Sequence, residues 1–253
     1  MTPLRDITTR LLPDVLSAFA LLSRLPLPDH RSSGAASAWA WPLVGAALGA
    51  IAAGFASVAL WLGLTPGVTA AGTLGLMALM TGALHEDGLS DTADGLFGGW
   101  TKERRLEIMK DSRIGSYGML ALMLVTLTRW SALATILALE SPWAALIAAG
   151  AVSRAPMALI MSAMPNARGA GLSHTTGQPP GQMALAGAAL ALAIAFLFTG
   201  LATLPMLALA TIATLLLARS AHKRIGGQTG DILGAAQQLA EAACLAVLAA
   251  RAG

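Results

Sequence analysis

The sequence predicts an all-α, polytopic integral membrane protein, a single helical bundle of about seven transmembrane helices with its active site at the cytoplasmic face. Three observations carry this. Hydrophobic residues fill 56% of the 253 positions and charged residues only 11%, against about a quarter charged in an ordinary soluble domain. Mean hydropathy is +0.68, and apolar runs long enough to cross about 30 Å of hydrocarbon recur along the chain. Basic residues, finally, sit in alternate loops between these runs, as the positive-inside rule requires. Aromatic residues are few and glycine is abundant, which suits helices that approach closely through small side chains.

Residues 1–38 read as an amphipathic lead-in helix and loop. Pro26 and Pro28 end the helix, because proline removes a helix donor and restricts the residue before it. No small-residue cleavage site follows the apolar run 16–22 before Arg24, so insertion through the chain's own spans is expected rather than a cleavable signal. The candidate spans are 39–62, 68–84, 117–139, 143–164, 183–198, 201–218 and 232–250. The second, fifth and sixth are short enough to be tilted or partly re-entrant. One set of loops carries Arg24, Arg31, Lys102, Arg104, Arg105, Lys110, Arg113, Arg168, Arg219, Lys223 and Arg224, whereas the loops near 65–67, 140–142 and 199–200 carry no Lys or Arg. That alternation places the basic loops in the cytoplasm. It also explains the formal charge of +3 and the pI near 9.6, so no nucleic-acid partner is expected. Cys244 lies in an apolar run and reads as packing. No internal repeat appears, and 1–253 reads as one domain with cytoplasmic active-site loops at 85–116 and 219–231.

The chemistry concentrates between His85 and Gly118, which holds seven of the chain's thirteen acidic residues. Asp87, Asp91 and Asp94 fall at i, i+4 and i+7, within an arc of roughly 60° on a helix. Three carboxylates on one stripe repel one another unless a cation sits among them. Hard oxygen ligands, with one Cys and few His in the chain, point to Mg²⁺ or Mn²⁺ rather than a softer metal. Gly88, Gly95, Gly98 and Gly99 suit close approach of a ligand. The plain alternative is a solvated loop with scattered acids and a helix cap.

Other candidates flank this stripe. Lys110 and Arg113, three apart, share one side of a helical turn and suit phosphate oxygens; a positive-inside loop explains them equally well. Asp111 and Ser112 would orient these cations or cap a helix. Gly226, Gly227, Gln228 and Thr229 form a flexible loop whose amides can approach an anion, or a simple turn, and Asp231 then adds a fourth carboxylate. Arg129 and Arg154 sit inside apolar spans at a cost of about 2.5–3.5 kcal/mol each, so they are expected to line a polar cavity or to pair with an acid. His85 points about 160° away from Asp87 on a continuous helix and ranks below the aspartates as a base. His174 is weaker still.

With these residues laid out, the chain resembles the cobalamin synthase family, the adenosylcobinamide-GDP ribazoletransferases. The matching strings are SRLPLP (23–28), HEDGLSDTADGL (85–96), IMKDSRIGSYG (108–118), AVSR (151–154) and GGQTGDILGAA (226–236). Glu86 stands where the family commonly has leucine. The resemblance implies a Mg²⁺-dependent enzyme of the inner membrane that joins adenosylcobinamide-GDP to α-ribazole, or to its 5′-phosphate, and releases GMP. It implies Asp87, Asp91, Asp94 and Asp231 as metal ligands, with Asp231 alternatively accepting the alcohol's proton. Lys110, Ser112, Arg113, Arg154 and Gly226 to Thr229 would hold substrate phosphates, and His85 would serve as an auxiliary catalytic group. Expected partners are these substrates and membrane lipid, with a homo-oligomer or association with other cobalamin-pathway enzymes left open. Two rival readings are a CDP-alcohol phosphotransferase, whose Ala-Arg after Asp-Gly is missing here, and a transporter, in which Arg129 and Arg154 would be gating or substrate groups.

Overall fold

The computed structural model describes residues 3–252, with side chains from residue 11 onward; residues 1, 2 and 253, the extremes of the expected domain, lie outside it. The order along the chain is α1 (Pro3–Leu22), a 3-10 turn (Gly34–Ala40), α2 (Trp41–Trp61), α3 (Pro66–Thr81), α4 (Leu84–Gly98), α5 (Lys102–Ile108), α6 (Ser116–Leu139), α7 (Pro142–Ala163), α8 (Leu172–Thr176), α9 (Gly181–Thr199), α10 (Thr203–Ile225) and α11 (Gly230–Ala252). Among the described residues the only strand-like pairing is an isolated bridge between Asn166 and Gln228. Prolines in the first turn start α2, α3 and α7, where the missing N–H has no helical partner to lose. Gly82 and Gly226, both left-handed, end α3 and α10.

Among the described residues five apolar stretches are long enough to cross a membrane, or six if α3 and α4 count as one broken span. One stretch, Gly181–Ile225, is 45 residues long and contains two helices, α9 and α10, that meet at Gly200 with φ +54°. The expected span at 68–84 differs most. It ends at Thr81, and the chain turns through 90° into α4. Gly82 (φ 66°) and Ala83 (φ 56°) make that turn, and for Ala83 the left-handed backbone costs about 1 kcal/mol or more. Four acids in fifteen residues stop α4 from serving as a span. The first expected active-site loop is therefore mostly helix, and residues 219–225 of the second belong to α10.

Close packing through small residues holds the bundle. α2 and α7 cross at Gly45 and Gly150, where a Cβ on Gly45 would fall 1.9 Å from the Gly150 carbonyl oxygen. α7 and α11 are mostly enclosed, while α6, α9 and α10 turn broad apolar faces outward, with Leu124, Leu197 and Leu216 among the exposed side chains. The basic loops gather at one end: Arg105 donates to the Arg224 carbonyl (3.2 Å) and Arg224 to the Leu96 carbonyl (2.8 Å).

The interior holds one polar network. Glu241 on α11 pairs with Arg129 of α6 (2.6 Å) and Arg154 of α7 (3.3 Å), and Arg129 also reaches Glu86 of α4 (3.3 Å). Gln238 accepts from Arg129 at 2.6 Å and donates to Glu86 at 3.0 Å. Gln237 donates to Ser153 (3.2 Å) and to Glu241. Two cations meet two anions, so the network is neutral. Arg154, expected to hold phosphate, is 2% exposed and spends its guanidinium on Glu241, Ser153 and the Gly150 carbonyl. Removing one partner of a buried ion pair costs about 3–5 kcal/mol. Glu241→Ala should therefore lower the thermal midpoint of the detergent-solubilised protein sharply, whereas Glu140→Ala, at an exposed loop position, should leave it nearly unchanged.

Candidate active site

The site forms where α4 presses against the start of α11. A Cβ added to Gly88 would come within 2.9 Å of the Asp231 carbonyl oxygen and 3.2 Å of the Gly234 Cα. With no side chain at either glycine the two helices touch backbone to backbone, and Asp231 is delivered beside the acidic stripe. The glycines of this stretch thus serve helix packing rather than ligand approach: Gly95 faces Met109 and Gly99 faces Arg105.

The three stripe aspartates have different surroundings. Asp87 is exposed and Asp91 half-buried, while Asp94 is 7% exposed. Asp94 accepts from the backbone N–H of Gly115 (2.7 Å) and of Gly118 (2.9 Å). These amides belong to the start of α6, whose N-cap residue Gly115 supplies no side-chain cap, so Asp94 caps that helix from a distance. Its two oxygens are committed to the fold. The Asp91 carboxyl is raised to about 7, first by burial and then by the like charges of Asp87 and Asp231, with Arg168 opposing and Asp94 adding a little. Carboxylates from α4 and α11 therefore share one field that is short of positive charge.

Asp231 itself is held by Arg168 (2.6 Å) and by the Thr229 hydroxyl, which donates to it at 3.2 Å. Among the described residues no three His, Cys, Asp or Glu side chains form a ready metal cluster. The expected four-aspartate centre is drawn together but not closed, because Asp94 is on amides and Asp231 is on a guanidinium. The donor chemistry still fits a hard divalent ion, with oxygen ligands throughout and a charge deficit that Arg168 alone does not cancel.

A cleft opens beside these groups, and its lining combines polar residues, His85, Asp87, Arg168, Ser173 and Asp231, with apolar ones, among them Leu21, Leu22, Trp41, Met157, Met161 and Leu172. His85 and Trp41 are each 1% exposed, and the His85 Nε2 and Trp41 Nε1 atoms are buried without a partner.

The remaining predicted residues lie apart from this cleft. Lys110 and Ser112 are exposed. Arg113 is 86% exposed and grips Asp111 at 2.6 Å, which holds the Asp111 carboxyl down at about 2. Asp111 and Arg113 border a second groove together with Asp94, Ile114 and Tyr117. The expected anion-binding loop is packed instead: Gly226 terminates α10, a Cβ on Gly227 would strike the Pro165 carbonyl at 2.2 Å, and the Gln228 N–H donates to that carbonyl (2.9 Å). His174 is exposed and is not part of the cleft wall. Sequence reasoning treated Arg168 only as a topology signal and passed over Glu241; an acid within an apolar span was the available clue to the latter.

The profile of the cobalamin-5-phosphate synthase family matches residues 14–249. This chain belongs to that family. Relatives named adenosylcobinamide-GDP ribazoletransferase occur in Bradyrhizobium diazoefficiens (44% identical, covering 99% of this chain and 98% of the relative), Azorhizobium caulinodans (44%, 94% and 95%) and Brucella ovis (43%, 93% and 95%). No solved structure matches. In this family member the capping role of Asp94 makes a specific demand. Gly115 and Gly118 donate to different oxygens of Asp94, and Asp94→Asn turns one of those oxygens into an NH₂ donor facing a backbone N–H, so it should cost about 1–3 kcal/mol of stability. Asp87→Asn, at an exposed carboxylate, should cost far less. Thermal unfolding of the two purified variants in detergent compares them directly, and equal midpoints would remove the cap.

Proposed function

We propose that the protein transfers the adenosylcobinamide-phosphate moiety of adenosylcobinamide-GDP to α-ribazole or its 5′-phosphate, releasing GMP and yielding adenosylcobalamin or its 5′-phosphate. Family membership supports the reaction, and one observation supports its location: Asp87 of α4 and Asp231 of α11 line the same cleft, together with Arg168 and a set of apolar side chains. A diphosphate can meet the charged groups, Arg168 directly and the carboxylates through a bound cation, while the apolar side chains can pack against the face of a large macrocycle. On this reading the enzyme is a Mg²⁺-dependent phosphotransferase of the inner membrane, with the cleft opening to the cytoplasm, where the basic loops gather.

Asp87, Asp91 and Asp231 are the residues that would hold Mg²⁺, with Asp94 fixing the α6 terminus behind them. When bound, Mg²⁺ neutralises the diphosphate and the departing GMP oxygen. The ribose hydroxyl oxygen bonds to the phosphorus carried by cobinamide as the bond from that phosphorus to the GMP oxygen breaks. GMP leaves with the electron pair, and the hydroxyl proton passes to water at the cleft mouth. The protein contributes mainly position and charge, as phosphoryl transfer demands. Apolar residues at the inner end of the cleft, Trp41, Met157 and Met161, keep bulk water from competing with the hydroxyl. Lys110 and Arg113, outside the cleft, attract the anionic substrate rather than clamp it.

Incubation of the purified protein with Mg²⁺, adenosylcobinamide-GDP and α-ribazole should release GMP in step with corrinoid product. Asp87→Asn and Asp231→Asn should each lower turnover by roughly a hundredfold or more. Release of CMP from CDP-diacylglycerol plus an alcohol, with no corrinoid product, would overturn the assignment.

The raised Asp91 carboxyl sets a pH dependence. A group that stays protonated until about 7 must lose that proton before it can ligate a cation, so apparent metal affinity should climb between about pH 6 and about pH 8 and then level off. Mn²⁺ titrations followed by electron paramagnetic resonance should show this rise in the wild type and a flat profile in Asp91→Asn.

A further inference from the structure

We propose that Arg168 is the residue that grips the transferred phosphoryl group, and that without substrate it is parked on Asp231, where it stands in for the metal ion. The inference rests on the diphosphate chemistry proposed above.

The backbone around Arg168 is tied down on both sides. The Ala167 N–H donates to the Gln228 carbonyl (2.8 Å) and the Gln228 N–H to the Pro165 carbonyl (2.9 Å), strapping the segment after α7 to the segment before α11. The Asn166 side-chain oxygen accepts from the N–H of Arg168 (3.0 Å) and of Gly169 (2.8 Å), and its amide donates to Ser173 (2.9 Å). This strap aims the Arg168 side chain along the cleft wall beside Asp87 and Asp231.

The guanidinium is underused where it lies. Its Nη2 reaches Asp231 at 2.6 Å and the Met109 carbonyl at 3.4 Å, and its Nε is buried with no partner. Arginine presents a planar fork suited to two oxygens of one phosphate, and here most of that fork is uncommitted. Other cations are placed otherwise: Arg129 and Arg154 are bound into the network around Glu241, and Arg113 is spent on Asp111 in solvent. Among the described residues Arg168 is the arginine or lysine that lines the cleft.

The exchange follows from charge. Asp87, Asp91 and Asp231 leave the site negative, and Arg168 is the positive charge that acts on Asp91 there. A diphosphate arriving with a divalent cation brings both signs at once. The cation takes the Asp231 oxygen, and the guanidinium turns onto the non-bridging phosphoryl oxygens. Arg168 forms and breaks no covalent bond; it exchanges one anionic partner for another. Parking keeps an otherwise uncompensated carboxylate paired between turnovers.

The test uses the full-length protein in detergent and two readouts. Arg168→Gln frees Asp231, so Mn²⁺ alone should bind roughly tenfold more tightly than to the wild type, the equivalent of losing one competing charge-assisted hydrogen bond. In the same variant kcat/KM for the diphosphate substrate should fall roughly tenfold or more, with Arg168→Lys recovering part of it. In an Asp231→Asn background Arg168→Gln should no longer tighten Mn²⁺ binding, a dependence that a merely structural arginine would not show. Unchanged or weaker Mn²⁺ binding in Arg168→Gln would overturn the parking role, and an unchanged kcat/KM would overturn the phosphoryl grip. Should Arg168→Gln fail to fold, Arg168→Lys carries the same two measurements, and wild-type Mn²⁺ affinity with unchanged kcat/KM overturns the proposal. Failure of the wild type to release GMP would instead strike the reaction, leaving the Mn²⁺ arm to judge Arg168 by itself.

Discussion

Glu241 is the constraint on which the rest of the structure depends. An acid buried at 1% exposure in an apolar helix is tolerable only when its charge is met, and Arg129 and Arg154 meet it from two other helices. Glu86 and Gln238 extend the pairing to α4. Four helices are thereby held in one register, since a shift of a single turn, about 5.4 Å, would leave at least one charge unpaired in a low-dielectric interior. Asp231 lies ten residues before Glu241 on α11, about 15 Å along the axis. Locking Glu241 therefore also places Asp231, and the Gly88–Gly234 contact completes the placement.

The site beyond that network works by a deliberate imbalance. The interior cluster is neutral and closed, whereas the cleft is left negative and half-open, with the Asp91 carboxyl raised to about 7 by burial and by its neighbours. On the proposed reading, such a site would take up positive charge together with the phosphates it accompanies. Division of labour among the aspartates follows from depth. The deepest of the α4 stripe, Asp94, has found backbone amides; Asp87 is exposed and Asp91 half-buried.

Much of this was legible in the chain. Apolar length and the alternation of basic loops marked the helical membrane bundle, because hydrocarbon thickness sets run length and loop charge sets orientation. The stripe of Asp87, Asp91 and Asp94 is legible from its spacing, whereas Asp231 stands out only through the loop that precedes the last span. The right-angle turn at Gly82 and Ala83 was not legible: an alanine held at φ 56° is a conformation that local propensity disfavours and only surrounding packing enforces. Nor was the packing use of Gly88, Gly95 and Gly99, since a glycine in sequence signals room without saying whether a ligand or a helix will fill it.

The sequence by itself determined which charges the protein must accommodate in a bilayer, and so determined that Arg129 and Arg154 needed partners and that the aspartates crowd one stripe of a helix. Tertiary structure alone decided the pairing. Arg154 went to Glu241, Asp94 to the α6 amides, and Arg168 to Asp231. Each of these contacts joins residues at least twenty positions apart. Their energy depends on distance and desolvation, quantities that exist only once the helices have packed.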